Sequence, residues 1–131
     1  DKLSDISVED LSISELLSRM NQRIAVLYDR EHTIGHAYFM PLKANPTIEA
    51  LAEIFRRSIL PLLQEYFYED YEKIRLILGD NRKTETGEQF ITVKQNDYME
   101  LFGDSEVDLE DGYSYEINDA AFDNIESYRS I

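Results

Sequence analysis

From Ile13 onward apolar residues recur at three- and four-residue steps: Ile13, Leu16, Leu17, Met20, Ile24, Leu27 and Tyr28. That period predicts an amphipathic helix from about Ser14 to Asp29, with Arg19, Gln22 and Arg23 on its polar side. Ser12-Ile13-Ser14-Glu15 stands before it as a capping box, the serine hydroxyl accepting from a first-turn amide while Glu15 reaches back. A second helical phase joins Ile48, Leu51, Ala52, Phe55, Ile59, Leu62, Leu63, Tyr66 and Phe67, and it survives Pro61. Proline removes an amide donor and crowds the turn before it, so this phase predicts one helix kinked near Pro61 or two almost in line. Tyr71, Ile74, Ile77 and Leu78 give a further buried face. Glu69, Asp70 and Glu72 precede Lys73 and Arg75, the order a helix dipole favours, and Gly79 marks the stop.

Between the first two phases lies Asp29-Arg30-Glu31-His32-Thr33-Ile34-Gly35-His36-Ala37-Tyr38-Phe39-Met40, which holds both histidines of the chain. Thr33 reads as the N-cap of a short helix through Met40, stopped by Pro41. Asn45-Pro46-Thr47 marks the next start, with Pro46 suited to a first helical turn.

The pattern changes after Gly79. Gly79 to Glu88 has no apolar residue and reads as a surface loop. Phe90 to Lys94 and Tyr113 to Ile117 read as short strands, able to pair with each other or with a sheet outside the chain. A small helix is expected between Asn96 and Phe102, ending at Gly103, then an acidic loop from Asp104 to Gly112. Asn118 or Asp119 caps a last helix carrying Ala121, Phe122, Ile125 and Tyr128. Asp1 to Leu11 reads as an irregular lead-in. The fold class is mainly α, a helical bundle with a small two-stranded β appendage. The chain divides into a lead-in over 1–11, a helical domain over 12–79 and a C-terminal extension over 80–131.

Composition narrows the functions open to such a fold. At 131 residues the chain suits one core. A start at Asp1 rather than methionine fits a piece of a longer protein. No apolar run approaches a bilayer span, and the absence of cysteine removes thiolate nucleophiles and disulfides, in keeping with a cytoplasmic setting. A formal net charge of −14 disfavours this segment as a nucleic-acid grip; the excess lies mostly after Asp97, while Arg19 to Arg75 is nearly balanced.

His32 and His36 are four apart, as in zinc-binding pairs, but Thr33 and Gly35 interrupt a clean helix and no fourth ligand is fixed beside Glu31. Asp104, Glu106, Asp108, Glu110 and Asp111 fail the calcium-loop register, because Gly112 as the invariant glycine sets Val107 and Asn118 at ligand places. Thr92 stands where an acid would precede Lys94 in a nuclease core. There is no Gly-x-x-x-x-Gly-Lys-Ser/Thr loop and no strand ending in paired acids, so the chain alone lacks the cradle for nucleotide hydrolysis and is not expected to be an enzyme by itself.

Met20-Asn21-Gln22-Arg23-Ile24, the Asp29–Met40 stretch, Leu60 to Asp70, Ile77 to Asp80 and Tyr115 to Asn118 leading into Ala121-Phe122 together resemble the C-terminal part of the McrB-like AAA+ family, the NTPase subunits of methylcytosine-specific restriction systems. The resemblance implies a helical lid and tail whose nucleotide-binding core lies upstream. It implies GTP or ATP with magnesium in the full-length protein, homo-hexamer neighbours, a separate nuclease subunit, and DNA engaged only through other parts of the assembly. Within it the site residues are Arg30, facing phosphate or an adjacent subunit, His32 and His36 orienting the turn, and Ile34 and Gly35, the glycine admitting close backbone approach. The competing reading is a non-enzymatic interaction module whose acidic tail binds a basic partner; a self-standing metal hydrolase is the third.

Overall fold

The structure, a computed structural model, describes residues 3–103 and 112–131. Asp104 to Asp111, the body of the expected acidic loop, lies outside them. The fold is mainly α, with two antiparallel two-stranded sheets.

The segment read as an irregular lead-in is instead a hairpin, β1 (Ser7–Val8) and β2 (Leu11–Ser12). Glu9 and Asp10 turn it at positive φ, 48° and 69°, the geometry of a two-residue hairpin turn. Leu3, Ile6 and Val8 are buried. Their spacing has no helical period, which is why the pattern did not mark them as core. Helix α1 (Ile13–Leu27) starts where expected, with Ser12 Oγ accepting from the Glu15 amide at 3.3 Å.

Beyond α1, Pro41 and Pro46 sit differently from expectation. His36–Phe39 is a single 3-10 turn whose N-cap is Gly35, not Thr33. Pro41 does not stop it but opens α2 (Pro41–Ala44), where its missing amide is one no helix start needs. Pro46 lies outside the next helix, α3 (Ile48–Ile54), because Thr47 is the N-cap and accepts from the Ala50 amide at 3.1 Å. Pro61 is met without a break: α3 runs through a π-helical segment, Phe55–Ile59, into α4 (Leu60–Tyr66). The Leu60 amide reaches back to the Phe55 carbonyl, so the widened turn falls just before the residue that has no amide to give.

Helix α5 (Tyr71–Ile77) is capped by Asp70, which accepts from the Lys73 amide, and is closed by Gly79 at φ 71°. The following stretch is mostly exposed, as its composition suggested, but it is neither irregular nor wholly at the surface. It forms 3-10 turns at Asp80–Arg82 and Thr86–Glu88, and Asp80 and Lys83 are buried. Strands β3 (Ile91–Gln95) and β4 (Tyr113–Ile117) pair antiparallel from Ile91↔Ile117 to Gln95↔Tyr113, with helix α6 (Tyr98–Phe102) beyond their far end. The expected final helix divides in two, a 3-10 turn over Asp119–Asp123 and α7 (Ile125–Arg129), whose N-cap is Asn124.

One hydrophobic core unites these pieces, from Leu3 to Ile131. Its centre is aromatic. Phe55, from the π segment, stacks on Phe90 at 5.7 Å and meets the edges of Tyr128 and Phe39; Phe90 also meets Phe122 and Tyr128. Its neighbour Arg56 lies over Phe122 and pairs with Asp119 and Asp123, each at 2.9 Å. The π segment therefore fastens the C-terminal extension to the helices.

Candidate functional site

The turn after α1 is held by few but specific contacts. Tyr28 caps the helix through its amide on the Ile24 carbonyl, at 2.8 Å. Asp29 then receives the His32 amide at 2.8 Å and lies 2.6 Å from His32 Nδ1. The His32 hydrogen bond holds the Asp29 carboxyl below its ordinary range. The imidazole sits among rings, 4.5 Å from Tyr28 and edge-on to Tyr66 at 5.3 Å, and Tyr28 also faces Phe67. Burial pushes the Tyr66 phenol up.

Ile34 is the anchor of the turn. Its side chain is buried, and its amide and carbonyl are both taken by Asn21 of α1, the amide donating to Oδ1 at 2.6 Å and the carbonyl accepting from Nδ2 at 2.9 Å. A side-chain amide that pairs with both backbone groups of one residue fixes its orientation as a strand partner does. Asn21 was not among the predicted site residues. It stands on the polar side of α1, and its partner is thirteen residues away, so no periodicity marks it.

The predicted residues thus fall into different roles. Ile34 and His32 hold the turn. Gly35 is extended at φ −76°, and a Cβ there meets nothing within 4 Å, so no contact within this chain requires glycine. His36 opens the 3-10 turn and is exposed. Arg30 is exposed as well. Its side chain makes neither hydrogen bond nor ion pair among the described residues, and the neighbouring acid Asp29 is engaged by His32 instead. His32 and His36 do not converge with other donors: among the described residues no group of three or more His, Cys, Asp or Glu is placed to hold a metal ion.

Arg30 borders an open groove along α1 with Ser18, Asn21, Gln22, Ala25 and Val26. On the other side of Val26 a second groove, of about 440 Å³, is lined by Gln22, Arg23, Leu27, Leu76, Asn81 and Arg82. Arg23 itself is spoken for, donating to the main-chain oxygens of Ile77 and Ile131 at 3.0 and 2.8 Å. What remains is a face with exposed valine and free guanidinium groups. It is suited to contact a surface rather than to enclose a small molecule.

None of the curated proteins compared matches the chain. Residues 12–75 match the family profile described as McrB, alpha-helical lid domain; the matched segment runs from the Ser12 cap into α5 and includes the whole Asp29–Met40 turn. Over that segment, just under half of the chain, the protein is similar to the McrB alpha-helical lid.

Proposed function

We propose that residues 12–75 close over a nucleotide held by an AAA+ core that precedes them in the full protein, and that the Asp29–Met40 turn carries the nucleotide state to the neighbouring subunit of a ring. The observation that carries this reading is the contrast within the turn. Ile34 is pinned to α1 from both sides by Asn21, while two residues before His32 the Arg30 guanidinium stands free in solvent. A cation presented on a fixed backbone and without a local partner is the arrangement that stabilises charge arriving from outside, such as a phosphate or an acidic neighbour. The full-length protein would use GTP or ATP with magnesium and work with a nuclease subunit on 5-methylcytosine DNA, with DNA held elsewhere in the assembly.

The test is Arg30→Ala and Arg30→Lys in the full-length protein. The alanine variant should lose NTP hydrolysis or ring assembly, with partial return in the lysine variant. Unchanged hydrolysis and assembly in both would remove Arg30 from the mechanism. An upstream coding sequence without a phosphate loop would remove the lid reading as a whole.

A further inference from the structure

The β3–β4 arm ends in a surface that the fold does not use. Burial falls away along β3 from Ile91, which is fully buried, to an exposed Val93, Lys94 and Gln95. Beyond the strands, α6 buries none of its residues, yet it carries Met99, Leu101 and Phe102 at 65%, 60% and 64% exposure. Tyr113, across from Gln95, adds a fourth large exposed side chain. Large apolar groups left in water at one end of an arm are the chemistry of a contact surface. Acids frame them: Asp97 caps α6, Glu100 lies within it and Glu116 stands on β4.

The opposite chemistry lies along α1. Val26 is 83% exposed, and Leu76 is exposed beside it. Arg82 lines the groove with them, Arg30 borders Val26 on its other side and Arg19 shares a further hollow with Arg82; none of the three makes a side-chain hydrogen bond or ion pair among the described residues. A chain of net charge −14 repels its own copies over most approaches. This cationic groove is a place where a second acidic copy is attracted rather than repelled.

We propose that the acidic, apolar tip formed by α6 and Tyr113 docks into the Val26–Leu76–Arg82 groove of a second copy of this chain. Each copy holds one tip and one groove on different elements, so the contact is head-to-tail and leaves a free half at each end. A heterologous contact of this type closes into a ring when its rotation permits. Its place between ring neighbours rests on the proposed function; the pairing of the two surfaces rests on their chemistry alone and needs no nucleotide.

Sedimentation velocity of the 131-residue chain, without nucleotide, tests it. Mass should rise with concentration, and added salt should weaken the association, as for an ion-rimmed contact. Leu101→Asp with Phe102→Ser removes the tip; Val26→Asp with Arg82→Glu removes the groove. Each variant alone should weaken self-association at least about tenfold in Kd. Mixed together they should form a 1:1 complex that does not grow, because only one tip and one groove survive. If the apolar changes disturb folding, as judged by circular dichroism, Glu100→Lys and Arg82→Glu serve instead: each weakens association alone, and the mixture recovers it. Variants that associate like the parent, or mixtures that form no complex, overturn the proposal. So does a parent chain that stays monomeric while its tip captures a Lys/Leu peptide, which assigns the tip to a basic partner. Arg30 is untouched in all variants, so failure here leaves the hydrolysis test standing.

Discussion

Asp80 and Lys83 form an ion pair of 2.9 Å in which neither side chain reaches solvent. The carboxylate also accepts the Phe90 amide at 3.0 Å and the Ile91 amide at 2.8 Å, and the ammonium lies 4.3 Å from the centre of the Phe90 ring. Burial pushes the Asp80 carboxyl up and the Lys83 ammonium down, while each partner opposes the shift of the other. With two amides and a cation on one carboxylate, the pair holds the start of β3 against the end of α5. Arg75 reinforces the junction by donating to the Ile91 carbonyl at 2.9 Å and to Gln89 Oε1 at 3.0 Å.

Removing one member therefore leaves a buried charge or orphaned amides. Asp80→Ala or Lys83→Met should each destabilise by about 3–5 kcal/mol in urea unfolding. Asp80→Leu with Lys83→Met should cost less than the two single losses added, since no charge stays buried, though the Phe90 and Ile91 amides remain unpaired at about 1–3 kcal/mol. Additive losses would mean that the two groups act separately.

Gly79 faces two constraints at once. Its φ of 71° is one L side chains rarely adopt, and an added Cβ would come within 3.1 Å of the Ser130 and Ile131 backbone. Gly79→Ala should cost at least the ~1–2 kcal/mol of a left-handed conformation, with further loss from the chain end being pushed aside. Reduced protection of the Ile131 amide in hydrogen exchange, beyond the global loss, would locate the second effect. A variant as stable as the parent would show that the chain end yields freely.

These positions show what the sequence can and cannot convey. Helix α1 was legible because Ser12 and the Ile13–Ile24 spacing are local signals that tertiary packing did not override. The β3–β4 pair was legible from its short apolar runs between polar loops. Asp80 and Lys83 were not, since charged residues in a stretch without apolar neighbours read as solvated; their burial depends on Phe90, Ile91 and the aromatic centre that closes over them. Leu3, Ile6 and Val8 escaped for want of a period, and the Ile6 carbonyl earns its place by accepting from the Ile13 amide at 3.2 Å. At the turn, nothing in the sequence marked Asn21, whose role exists only once Ile34 is brought beside α1.

Asn21 should therefore matter to the turn more than to the helix that carries it. Asn21→Ala leaves both backbone groups of a buried residue without their partner, a loss of about 1–3 kcal/mol. The Ile34 amide should exchange faster than the α1 amides, whose hydrogen bonds are untouched. Uniform acceleration throughout would assign Asn21 to global stability alone. In the full-length protein, Asn21→Ala should also weaken whatever Arg30 contributes, because the backbone that presents it is no longer fixed.

The Asp29–His32 contact gives the turn a dependence on acid. His32 is faced by Asp29 from its own turn, by Tyr28 from the end of α1 and by Tyr66 from α4. Asp29 is the group whose ordinary value, 3.8, is lowered, first through its hydrogen bond with the His32 side chain. A carboxyl lowered in the folded state contributes stability that is complete above its unfolded value and is lost as pH falls through the folded one. The turn should thus hold at neutral pH and loosen below the usual aspartate range, with little effect on global stability because both side chains are partly exposed. The His32 amide, which donates to the same carboxylate, reports the change directly. Its exchange should accelerate on acidification relative to the Leu16–Met20 amides, and Asp29→Asn should abolish the pH-dependent step. If His32 stays equally protected through that range, the turn is held by Ile34 and the surrounding rings, and the carboxylate is incidental to it.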